Sequence, residues 1–205
     1  MSRIPRTARL VAAFLAILLS VTEPAPAETA NGVILDEPAA IPAFALRDHH
    51  GRAFTEAEIR GGWTLVMLGF TNCPDVCPFT LTNLEHVIAE VSLRVRPDNV
   101  PRVVFLSVDP DRDRAGLRDY ARHFHPDFLG VTGPRVEIDR VVEATDSAYR
   151  FVGEGEDYDV QHSSAVSVID PEGRLRAKIQ PPFDAGPTAE FLARLQIQHR
   201  REAAQ

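Results

Sequence analysis

Two uninterrupted apolar runs of strand length, Trp63–Phe70 (WTLVMLGF) and Arg102–Val108 (RVVFLSV), constrain this chain more than any other feature. Neither alternates apolar with polar residues, so both read as strands buried at the centre of a core. Between them Leu81, Leu84, Ile88 and Val91 recur with the helical period, which predicts a helical crossover and a parallel pairing of the two runs. Thr71-Asn72 closes the first run. Pro78 suits the first position of the crossover helix, where its missing N–H is one that a helix leaves unpaired. Asp109-Pro110-Asp111-Arg112-Asp113 ends the second run.

The flanking segments extend the same order. Phe44–Asp48 and the His49-His50-Gly51-Arg52 turn suggest a short hairpin, and Thr55–Ile59 a helical turn before the Gly61-Gly62 break. After Asp113 the pattern predicts a helix over Arg114–Phe124, a strand over Phe128–Val131 and a helix near Val136–Tyr149. Ala165–Ile169 and Leu175–Ile179 read as two strands joined by Asp170-Pro171-Glu172-Gly173, and residues 187–199 as a closing helix. The fold class is α/β: a central mixed sheet with helices on both faces and a late antiparallel hairpin.

The chain has two cysteines, and both fall on the turn between the first core strand and its helix, in Cys73-Pro-Asp-Val-Cys77. With sulfurs at that junction the order is the layout of thioredoxin-like domains. A helix start predicts an exposed, electropositive setting for the thiols. A structural disulfide would close a five-residue loop worth roughly 2 kcal/mol, too little to be the pair's purpose. Asp75, between the sulfurs, opposes ionisation of a free thiol, whereas a bound metal deprotonates its thiols outright. The loop therefore favours metal binding over general redox catalysis. A thiol–disulfide oxidoreductase that reduces the cysteines of a target protein is the alternative reading. Peroxidase chemistry is disfavoured by Pro74, where peroxiredoxin-like loops place a hydroxyl.

Arg3, Arg6 and Arg9 precede an apolar segment, Leu10–Val21, and then Ala25-Pro26-Ala27, which has the small-x-small form of a secretory cleavage site. Residues 1–27 read as a signal peptide. The segment falls short of the ~20 residues that span a bilayer as a helix, so a retained inner-membrane anchor is the weaker reading. No cysteine stands near the cleavage point to accept a lipid. The expected location is periplasmic or otherwise extracytoplasmic, an oxidising space. Residues 28–41 read as a flexible lead-in and 42–205 as one domain. The formal net charge of −7 falls to −9 without the leader's three arginines and one glutamate, which argues against nucleic acid as a partner.

Three stretches, Gly69-Phe-Thr-Asn-Cys-Pro-Asp-Val-Cys-Pro78, Ser107-Val-Asp-Pro-Asp-Arg-Asp113 and Gln161-His-Ser-Ser164 leading to Ile169-Asp-Pro-Glu-Gly173, give the chain its resemblance to a known family. In this order and spacing they resemble the Sco/SenC family, copper-handling proteins associated with assembly of cytochrome c oxidase. The resemblance covers most of residues 40–195. It implies a thioredoxin-like fold, a copper site made by Cys73, Cys77 and His162, and reversible oxidation of the two thiols. It also implies the partners: a copper-receiving oxidase subunit or another periplasmic copper carrier, and a thiol–disulfide reductant. Two thiolates and an imidazole suit Cu(I) and can also hold Cu(II), whereas a closed zinc site normally wants a fourth protein ligand. The chain departs from the family pattern at Gln161, where an acid is usual, and at Ser167, where an aromatic is usual.

The remaining candidates weigh less. Asp109, Asp111 and Asp113 read as carboxylates at a helix start, with Asp109 the strongest for a role near a metal or a partner surface. His123 and His125 form an HxH pair at a predicted helix end and His49-His50 sit in a tight turn; both pairs read as solvated. Tyr149 and Tyr158 read as packing residues.

Overall fold

A computed structural model of the chain describes residues 32–153, 155 and 158–204, so the expected leader, residues 1–27, lies outside the described residues. The two apolar runs form β4 (Thr64–Gly69) and β5 (Arg102–Ser107), paired in parallel from Thr64 opposite Arg102 to Gly69 opposite Ser107. Leu65, Met67, Val103 and Phe105 face one core cluster, while Val66, Leu68, Val104 and Leu106 face the other. Such strands have no wet face, and this is why the runs are apolar throughout.

Around them lie β1 (Gly32–Ala40), β2 (Ala45–Asp48), β3 (Ala53–Thr55), β6 (Leu129–Thr132), β9 (Val166–Ile169) and β10 (Arg174–Ile179). With β4 and β5 they build an eight-stranded mixed sheet in the order β1-β10-β9-β4-β5-β6-β2-β3. The helices are α1 (Glu56–Ile59), α2 (Val76–Ser92), α3 (Pro110–Asp113), α4 (Leu117–Phe124), α5 (Arg135–Ala144) and α6 (Ala185–Glu202). α2, α4 and α6 cover one face of the sheet through Leu81, Leu84, Leu117, Ala121, Leu192 and Leu195, and α5 covers the other through Ile138, Val141 and Val142. This is the expected α/β, thioredoxin-like architecture, with β9 and β10 as the late antiparallel pair. Among the described residues no helix is long and apolar enough to cross a membrane.

Three expectations are corrected. Most of the supposed lead-in is a strand: β1 pairs antiparallel with β10, with a register shift between Ile34 and Ala39. Backbone pairing at a sheet edge requires no apolar alternation, so a segment rich in Ala, Pro and Glu carries no strand signal. Gly32 is needed there, because a Cβ would come 2.7 Å from the Phe191 ring. The helix expected over Arg114–Phe124 begins only at Leu117, as α4, and a separate short helix, α3, precedes it over Pro110–Asp113. The helix expected to reach Tyr149 stops at Ala144, where Asp146 turns the chain with φ 47°. Tyr149 then opens a hairpin that no sequence pattern announces, β7 (Tyr149–Val152) with β8 (Asp159–His162), which pair with each other apart from the main sheet.

Candidate metal centre

β4 ends at Gly69, and the loop after it is folded back by the Cys73 N–H, which donates to the Phe70 carbonyl at 3.3 Å. α2 starts at Val76, so Cys77 is its second residue and Pro78 its third, still within the turn whose N–H groups lack helical partners. One of those donors has a use: the Cys77 N–H points at the Cys73 sulfur, 3.4 Å away. The expected exposed setting holds only in part, since Cys73 is half-buried and Cys77 fully buried beneath the turn. Burial, then the hydrogen bond that its thiol donates to Cys73, push the Cys77 thiol far above the ordinary thiol range. Such a thiol is a poor nucleophile until something displaces its proton, and a soft metal does that.

The burial of Cys77 depends on Gly69. A Cβ there would lie 2.4 Å from the Phe105 ring and 3.0 Å from the Cys77 sulfur. Gly69→Ala is therefore expected to cost about 2 kcal/mol by overpacking and to displace Cys77, read as a lower urea midpoint together with weaker metal uptake. An unchanged midpoint would contradict it.

His162 reaches the sulfurs through strand register. β9 runs antiparallel to β4, with Val66 opposite Ser167, so the chain preceding Val166 lies over the loop that follows Gly69. His162 ends β8 just upstream, and its Nε2 stands 3.5 Å from the Cys77 sulfur across 85 positions of sequence. The other ring nitrogen, Nδ1, is 3.0 Å from the Ser163 carbonyl, which can only accept, so Nδ1 carries the proton. That tautomer leaves the Nε2 lone pair facing the sulfurs, the form a metal ligand requires. The edge of the Phe70 ring flanks the imidazole at 6.1 Å between centroids.

The three ligand atoms of Cys73, Cys77 and His162 lie within 4.8 Å of one another. Metal bonds of about 2.3 Å to sulfur and 2.0 Å to nitrogen put the corners of one trigonal site about 4 Å apart. The donor set therefore closes on a single soft ion with only small shifts.

The Ser107–Asp113 stretch holds both halves of this centre. Asp113 is buried and accepts three hydrogen bonds: from the Thr71 N–H (2.9 Å), the Thr71 hydroxyl (2.6 Å) and the Ser107 hydroxyl (2.7 Å). It ties the cysteine loop to the exit of β5. Burial pushes its carboxyl above the ordinary range, although these donors pull the other way. Asp109, read as a helix-start carboxylate and the strongest of the three for a role near a metal or a partner surface, takes the Tyr158 hydroxyl at 2.8 Å and pairs with Arg112. The Arg112 guanidinium lies 3.8 Å from the Tyr158 ring centre and donates to the Tyr158 carbonyl at 2.9 Å. Tyr158 is thus a tether for the hairpin as well as a packing residue. Asp111 pairs with Arg135, whose guanidinium covers Phe151 at 4.2 Å, and Tyr149 donates to Asp139 at 2.7 Å.

The other histidines have separate work. His49 Nδ1 accepts the Gly130 N–H at 3.0 Å, which leaves its proton on Nε2, 3.0 Å from His50 Nε2. His125 Nδ1 accepts the Asp127 N–H and its ring stacks on Phe128, while His123 sits edge-on to Phe124. Asp170, Glu172 and His199 also converge, but Asp170 is taken up by the Glu172 and Arg174 N–H groups and the Arg174 guanidinium. Gln161 accepts both Arg150 Nε and Nη2 across the hairpin, and Ser167 is buried in β9.

With the geometry in hand, comparison with known proteins is informative. Residues 34–196 match the SCO1/SenC family model. The chain is 38% identical over 137 residues to "Protein SCO1 homolog, mitochondrial" of Homo sapiens, a match covering 64% of this chain and 44% of that protein. The chain spans about half the length of the mammalian relatives it matches. It is 30% identical over 158 residues to "Putative copper-binding protein" of Stutzerimonas stutzeri, covering 76% of each. Among solved structures, that of Arabidopsis thaliana ScoI with copper bound superposes with a TM-score of 0.71 at 31% identity, covering 78% of this chain and 99% of that one.

Proposed function

Because the chain belongs to the SCO1/SenC family, we propose that it is a copper metallochaperone, binding one copper ion through Cys73, Cys77 and His162 and delivering it to a respiratory oxidase copper site. The observation that carries this reading is the His162 ring: its proton is committed to the Ser163 carbonyl, and its free lone pair faces the buried sulfur. Two thiolates with one imidazole suit Cu(I). A three-coordinate soft centre also permits handover, since an incoming ligand can join before an old one leaves. Delivery fits an extracytoplasmic protein whose residues 1–27 are a leader. The copper-bound plant relative supports the choice of metal, and the family resemblance supports the recipient.

Anaerobic titration of the reduced protein with Cu(I) is expected to give one ion per chain. In His162→Ala the affinity should fall by at least the roughly 10- to 100-fold that loss of an outer partner alone costs. If that variant binds copper with unchanged affinity and spectrum but no longer reduces a disulfide substrate, the metallochaperone reading fails and the oxidoreductase reading takes its place.

A further inference from the structure

Beneath the cysteine turn lies a buried hydroxyl without a partner among the described residues, that of Tyr120 on α4. Its ring is fixed between Phe105, at 5.2 Å between centroids, and Phe124, at 5.3 Å. Phe105 and the Cys77 sulfur are the two groups that close on the missing Cβ of Gly69. Tyr120, Phe105, Cys77 and Cys73 accordingly belong to one apolar cluster. A buried hydroxyl with nothing to bond is a net loss that phenylalanine would avoid while filling nearly the same space.

The surroundings show what could bond it. The chargeable groups in its surroundings are the thiols of Cys77 and Cys73 and the carboxyl of Asp113. A phenol keeps its proton at neutral pH, so the hydroxyl can serve as a donor. The Asp113 oxygens already accept from Thr71 and Ser107. A neutral thiol is a weak acceptor, but a sulfur whose proton has been displaced by a metal is an anion. Hydrogen bonds to charged acceptors are roughly twice as strong as neutral ones.

We propose that Tyr120 is a positioning residue of the metal centre, its hydroxyl donating to a metal-bound thiolate of the cysteine pair, Cys77 foremost. The inference rests on the copper-site reading above. Loading supplies the acceptor, and the hydrogen bond in turn stabilises the thiolate against reprotonation in its buried setting, which slows loss of the ion.

Tyr120→Phe tests this, since the ring and its packing are kept. Cu(I) affinity, measured by competition with a chromophoric chelator, is expected to fall about tenfold. In the Cu(II)-loaded protein the sulfur-to-copper charge-transfer band should move to lower energy, because an unbonded thiolate is the better electron donor. Thermal stability without metal should be unchanged or slightly higher. Affinity within twofold of the parent with an unmoved band would overturn the proposal, as would a loss of metal-free stability, which would mean that a buried water already satisfies the hydroxyl. If the parent protein itself takes up no copper, it is the metal-site reading that fails.

Discussion

Copper affinity is expected to fall by more than about 100-fold in both Cys73→Ser and Cys77→Ser, beyond the 10- to 100-fold that outer partners of a metal site command. Serine offers a hard oxygen that stays protonated at neutral pH, and a soft ion gains little from it. The two variants should differ in a second respect. Cys77 is fully buried in an apolar cluster with Phe105 close by, so putting the smaller and more polar hydroxyl in place of the sulfur should cost about 1–3 kcal/mol, towards the lower end if it donates to His162 Nε2. Cys73 is half-buried, and its serine variant should unfold near the parent's urea midpoint. Anaerobic chelator competition and urea unfolding of each protein check both statements. Retention of tight copper binding in either variant would remove that sulfur from the site.

Asp113→Ala is expected to destabilise the protein by about 2–4 kcal/mol and to loosen copper as well. The carboxylate gathers three donors, and truncation leaves them buried or poorly solvated. Two of the three come from Thr71, two residues before Cys73, so the loop that presents the sulfurs loses its anchor to β5. Asp113→Asn should be much milder, about 1 kcal/mol. Its amide oxygen can still accept the Thr71 N–H, and the Thr71 hydroxyl can rotate to accept from the new NH₂. Denaturant unfolding and the rate of copper loss to a chelator separate the two variants. Equal stability of the alanine variant and the parent would show that Asp113 does not hold the loop.

The centre of the fold was legible because β4 and β5 are buried on both faces, and an unbroken apolar run of strand length has few places to go except the middle of a sheet. The cysteine turn was legible for the same reason, being pinned between such a strand and a helix of clear period. Failures lie where backbone pairing or a few polar contacts replace apolar area. β1 is an edge strand, and β7 with β8 form a short hairpin held to the domain by Tyr158 on Asp109 and Arg135 on Phe151. Neither device leaves a hydrophobic period. His162 entered through the family's motif, because nothing local to it announces where a hairpin will carry it. Asp109 and Asp113 looked alike as carboxylates at a helix start, and only the path of the chain decides that one meets the hairpin and the other the loop. Tyr120 reads from sequence as an ordinary core aromatic, and its unpaired oxygen is visible only in three dimensions.

The pairing of β1 fixes how the domain hangs from whatever precedes it. β9 runs against β4, β10 against β9 and β1 against β10, so Gly32, opposite Ile179, enters at the same end of the sheet from which Gly69 leaves. Upstream residues thus join the domain on the side that presents the sulfurs, three strands across. Any bilayer-embedded segment upstream of Gly32 would therefore hold the sulfur-bearing end of the sheet, rather than the opposite end, toward the lipid surface.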